Sequence, residues 1–80
     1  MNAAELKRHL TAIVTEEEHG SPDWERVTTM CLDLSRRLSL DACDECPHDV
    51  HHFIADFDIR KSDEKYGQKQ RADVRAYLEP

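Results

Sequence analysis

The chain has 80 residues, with 17 acids against 11 Lys and Arg, three Cys, two Gly and three Pro. A chain this short buries roughly 60% of the surface that its unfolded form exposes, so one core is possible and two are not. The net charge of −6 favours solubility and repels phosphate backbones unless a local basic face compensates.

No apolar run near the start leads into a small-residue cleavage site, and none is long enough to span a membrane. Together with an odd Cys count, this is the pattern of a reducing compartment in which thiols stay free. A cytoplasmic location is expected, with no membrane partner. Charge is unevenly spread. Residues 41 to 58 carry Asp41, Asp44, Glu45, Asp49, Asp56 and Asp58 without Lys or Arg, whereas residues 60 to 75 carry six bases against three acids.

Asn2 and Glu5 have the reciprocal capping spacing, and Leu6, Leu10, Ile13 and Val14 then share one face of a 3.6-residue repeat. His19-Gly20 closes this first helix. Glu16, Glu17 and Glu18 fall in its last turn, where the macrodipole is negative, and read as a solvated end. Ser21-Pro22-Asp23 starts a second helix, with Ser21 as the cap and Pro22 at the first helical position. Its stripe of Trp24, Val27, Cys31, Leu34 and Leu38 suits packing against another helix, and Cys31 within it reads as a small buried hydrophobe.

Periodicity is lost over Asp41 to Cys46, which implies a connecting loop, and Pro47 opens a third helix with Val50, Phe53, Ile54 and Phe57 on one face. Ser62, followed by Asp63 and Glu64, offers a fourth start, with Tyr66, Gln70, Val74, Tyr77 and Leu78 on a common side. Gly67 interrupts that helix, at a cost of about 1 kcal/mol relative to Ala, so either the backbone approaches a neighbouring helix closely there or the helix boundary lies elsewhere. Strand-like alternation is missing. The expected fold is all-α, a single domain over residues 1–80 built as a small compact bundle or array of three to four helices.

One segment has chemical potential. Cys43, Cys46, His48, His51 and His52 gather two thiols and three imidazoles within ten residues. A zinc-type site would draw on Cys43, Cys46, His48 and His52, because zinc takes thiolate and imidazole ligands in tetrahedral geometry. The spacing departs from structural zinc sites, which draw a second ligand pair from a separate segment. A zinc-knuckle pattern would need Cys43, Cys46, His51 and Asp56, with Asp where Cys is required. Helical geometry puts His48 and His52 together on the solvent side, His51 on the flank and Cys46 toward the core. Redox use of the two thiols is disfavoured because Asp44 and Glu45 lie between them.

Asp56-x-Asp58 fails as a calcium loop, since Lys61 stands where Gly is needed and Gly67 where Glu is needed. No phosphate loop or nucleophile elbow occurs, and an enzyme is not expected. Lys65 and Lys69 fall on one flank of the last helix and Arg71 and Arg75 on the other, which reads as snorkelling charge around a buried strip. A helix-turn-helix reading therefore lacks a basic stripe, and nucleic acid is not an expected partner. The expected role is a protein-interaction or regulatory module without catalytic activity or a cofactor, associating with itself or with another protein. Trp24 and Phe53 or Phe57 would anchor its core or a dimer seam. Metal binding by the Cys and His cluster is the alternative, and a helix-turn-helix nucleic-acid binder a further one.

Overall fold

The computed structural model describes residues 1–40 and 46–79. Among the described residues the chain forms five α-helices and no strand: α1 (Ala3–Glu17), α2 (Trp24–Leu40), α3 (His48–Ala55), α4 (Phe57–Ser62) and α5 (Glu64–Leu78). The all-α class agrees with the sequence reading. The count does not, because the expected third helix is two helices that meet at Asp56.

Local chemistry accounts for the helix ends. Asn2 Oδ1 accepts the Glu5 N–H at 2.9 Å, which fixes the start of α1 as the capping spacing implied. At α2 the cap is Asp23 and not Ser21. Its Oδ1 accepts from the Arg26 N–H at 3.1 Å, and its carbonyl accepts the Val27 N–H at 3.0 Å, leaving Pro22 just outside the helix. The start of α5 shifts in the same way, from Ser62 to Asp63, whose carboxylate accepts the Tyr66 N–H at 3.2 Å. In both places a carboxylate complements the positive helix end better than the hydroxyl beside it.

The apolar stripes meet in one cluster. Leu6, Leu10, Ile13 and Val14 of α1 pack with Val27, Cys31 and Leu34 of α2, Val50, Phe53 and Ile54 of α3, and Val74 of α5. Trp24, Leu38, Cys46 and Phe57 lie half-buried against it. Helices α2 and α5 each pack against α1, α3 and α4, so the short α3–α4 pair sits between the two long helices. The break at Asp56 serves that arrangement. Its backbone leaves helical geometry at φ −99° and ψ 22° while its N–H still donates to the His52 carbonyl, so α4 departs from the line of α3.

Replacing Asp63 with Ala should cost about 1 kcal/mol in urea unfolding, the usual worth of a side-chain N-cap. Ser62→Ala should change stability by no more than a few tenths, because its hydroxyl bonds only to the Asp58 and Ile59 carbonyls of its own helix. Equal losses would return the cap to Ser62.

Candidate functional site

The fully buried side chain of largest volume is a cation, Arg60 on α4. An unpaired charge in an apolar interior is strongly unfavourable, so its partners decide whether the fold is possible. Arg60 Nε donates to Glu17 Oε1 at 2.9 Å and Oε2 at 3.1 Å, and Nη2 donates to Glu17 Oε2 at 2.9 Å. Nη1 donates to Gln70 Oε1 at 2.9 Å and to the Phe53 carbonyl. The remaining Nη2 hydrogen faces the Cys31 sulfur at 3.8 Å, and the guanidinium carbon lies 3.8 Å from the centre of the Phe53 ring. Each N–H of the guanidinium fork thus has an acceptor.

Glu17 is itself buried, at 4% exposure. Besides Arg60 it accepts from Arg71 Nη1 at 3.0 Å, and Arg71 reaches outward through Nη2 to the Glu64 carboxylate at 2.7 Å. On the other side, Gln70 Nε2 donates to Asp56 at 3.0 Å and to the Tyr66 hydroxyl at 3.2 Å, while that hydroxyl donates to Asp56 at 2.7 Å. The Asp56 carboxylate holding this hydrogen bond raises the Tyr66 phenol above its ordinary value. A polar network therefore crosses the molecule from Asp56 through Gln70, Arg60, Glu17 and Arg71 to Glu64, and binds α1, α3, α4 and α5 together. Burial pushes the Cys31 thiol up to about 11, despite the opposing effect of nearby Arg60. It is a protonated, packed thiol at neutral pH.

These residues correct the sequence reading. Glu17 was expected at a solvated end and Arg71 as a snorkelling charge on a flank, and Arg60 was given no place. A signal was present for Glu17 and for Arg71. Glu17 follows Leu10, Ile13 and Val14 at spacings of seven, four and three, and so continues the buried stripe of α1. Arg71 lies three residues before Val74, within the buried face of α5 and not on its flank. Gly67 is explained by the same network, since a Cβ there would stand 2.9 Å from Arg71 Nη1. The close approach is to an arginine of its own helix, pinned at its far end by two carboxylates.

The expected metal ligands are placed as follows. Cys43 and the neighbouring Asp41, Asp44 and Glu45 lie outside the described residues. Cys46 is half-buried against the core. His48, His51 and His52 are exposed on α3, and His48 and His52 bring their Nε2 atoms to 2.9 Å. Among the described residues no three His, Cys, Asp or Glu side chains form a group able to hold an ion. Of the six bases in residues 60 to 75, Arg60 and Arg71 are internal and Arg75 is bonded to Glu18, leaving Lys61 exposed on α4 and Lys65 and Lys69 on α5.

A third feature is the outward side of α2. Glu25, Thr29, Leu32 and Arg36 follow one another at spacings of four, three and four, opposite the core stripe, and all four are exposed. Leu32 is 57% exposed and borders a hollow lined by Thr29, Met30, Asp33 and Arg36. The Arg36 hydrogen bond to Asp33, at 3.2 Å, holds that carboxyl below its ordinary value. Among the described residues no helix is long and apolar enough to cross a membrane. Neither a protein-family model, nor a curated protein, nor a solved structure matches this chain.

Glu17→Gln should destabilise the chain by about 3–5 kcal/mol, because Arg60 loses its charge partner in the core and Arg71 loses one of its two. The measurement is urea unfolding followed by circular dichroism, and a loss below about 1 kcal/mol would mean that water reaches the cluster. Gly67→Ala should destabilise wild-type protein by displacing Arg71. In an Arg71→Met background the same change should stabilise by about 1 kcal/mol, the helix-propensity gain freed of the clash.

Proposed function

We propose that this chain is a non-catalytic interaction module that pairs with a second copy of itself through the outward side of α2. The observation that carries this reading is the order of residues on that side. Glu25, Thr29, Leu32 and Arg36 are spaced symmetrically about their midpoint. Two copies laid antiparallel across a twofold axis at that midpoint place each Leu32 beside Thr29 of the other copy. Each Glu25 then faces Arg36 of the other copy.

An interface between identical chains has to be complementary to itself in this way. Parallel pairing would instead oppose Glu25 to Glu25 and Arg36 to Arg36, which charge repulsion disfavours. Asp33 retains its hydrogen bond from Arg37, at 3.2 Å, when Arg36 turns outward. The apolar centre is Leu32, and Leu40, 83% exposed, lies at the end of the same helix. Arg60 supports a role without chemistry, since its donors are directed at Glu17, Gln70 and the Phe53 carbonyl within the core.

Three helical turns cover less than the roughly 1,200 Å² of a standard stable interface, so the pair is weak and concentration-dependent. Sedimentation equilibrium of the full chain at about 100 μM should report a monomer–dimer equilibrium. Glu25→Arg or Arg36→Glu alone should shift it toward monomer, and the two substitutions together should restore the dimer, since the swapped charges again face each other. Leu32→Asp should abolish association without loss of helicity. A 9.3 kDa species alone at that concentration would overturn the reading.

A further inference from the structure

His48 and His52 take no part in the buried network or in the α2 face. They stand one turn apart on the solvent side of α3, with ring centroids 4.4 Å apart and planes at 83°. Their Nε2 atoms converge to 2.9 Å. We propose that these two imidazoles form a two-point chelate for a divalent transition-metal ion of the nickel(II) or copper(II) class.

Imidazole nitrogen is a ligand that nickel(II) and copper(II) take readily. Two nitrogens each about 2.05 Å from an ion and about 90° apart stand about 2.9 Å from each other, whereas the tetrahedral angle sets them about 3.3 Å apart. The 2.9 Å between the two Nε2 atoms is also the length of an ordinary hydrogen bond, so it shows that the two rings reach a common point and does not by itself separate nickel from zinc. The helix itself sets the spacing, so little ordering is needed when an ion arrives. His52 also borders a small hollow with Asp49, Asp73, Lys69, Tyr66 and Gln70. Two carboxylates against one ammonium make that surrounding favourable to a cation.

The proton balance is simple. In the metal-free pair, one Nε2–H donates to the lone pair of the other ring. On binding, the donor ring transfers that proton to its own Nδ1, through solvent, and both Nε2 lone pairs turn to the ion. Neutral rings therefore release no net proton. Water fills the remaining coordination positions, so the site is open and exchangeable, unlike a closed structural zinc centre.

Calorimetric titration of the untagged full chain with nickel(II) tests the site, with zinc(II) as the comparison ion. One nickel per chain is expected. His48→Ala and His52→Ala should each weaken binding about tenfold or more, because two-point attachment becomes single-point. His51→Ala and the double variant Cys43→Ser, Cys46→Ser should change it less than about twofold. All three histidines are exposed, so circular dichroism should report unchanged folding in each histidine variant.

Wild-type affinity retained in either single variant of the pair overturns the site. Loss of binding in the double serine variant overturns it in favour of a mixed thiolate and imidazole cluster, and loss in His51→Ala overturns the pairing. Zinc bound more tightly than nickel overturns the choice of ion class.

Discussion

The Glu17 and Arg60 pair is the constraint on which the rest of this structure depends. An arginine with no solvent exposure cannot be accommodated by hydrophobic contact, and the geometry around it removes the difficulty donor by donor. Its carboxylate partner lies 43 residues away in sequence and at the opposite end of the topology. Helix α4 can therefore dock only where the end of α1 meets it. A buried ion pair of this kind contributes less to stability than apolar packing of similar volume would, because desolvation opposes the Coulomb attraction. What it supplies here is discrimination between packings, since any other seating of α4 leaves a cation unpaired in the core.

Several features that look unrelated follow from that constraint. The helix break at Asp56 changes the direction of the chain, and Arg60 then turns back to donate to the Phe53 carbonyl near the end of α3. Such carbonyls lack a partner within their own helix, so the arginine also satisfies a backbone acceptor. Gln70, on the inward side of α5, links the guanidinium to Asp56 and Tyr66. Arg71 adds a second cation to Glu17, and Glu64 at the rim balances it. Gly67 gives the Arg71 head group room to lie along its own helix. Residues of α1, α3, α4 and α5 and the α3–α4 junction thus serve one electrostatic requirement.

With the charged residues of the interior engaged in this way, the surface is left to carry interactions. It offers two features of different chemistry. The α2 face combines one exposed leucine with opposite charges in a self-complementary order, and the α3 face presents two imidazoles at a chelating distance. They lie on different helices, and each is set by helical periodicity alone. The role proposed for the first is pairing by shape and charge between copies, and that proposed for the second is lone-pair donation to an ion.

Much of this was legible in the chain. The 3.6-residue recurrence of Leu6, Leu10, Ile13 and Val14, and of Val27, Cys31 and Leu34, fixes the helices and their inward faces, because burial of a stripe is a local property of spacing. The same arithmetic places His48 beside His52 on the solvent side. The starts of α2 and α5 were read two residues and one residue early, since Ser and Asp both cap and only backbone geometry chooses between them. Periodicity also points Glu17 and Arg71 inward, but it cannot say what waits there, and a charged residue alone on an apolar stripe reads as an error in the pattern. Only the tertiary structure decided that these are partners. The energy that permits a buried charge comes from an opposite charge brought within 3 Å across more than 40 residues of chain, and no local rule carries information over that separation.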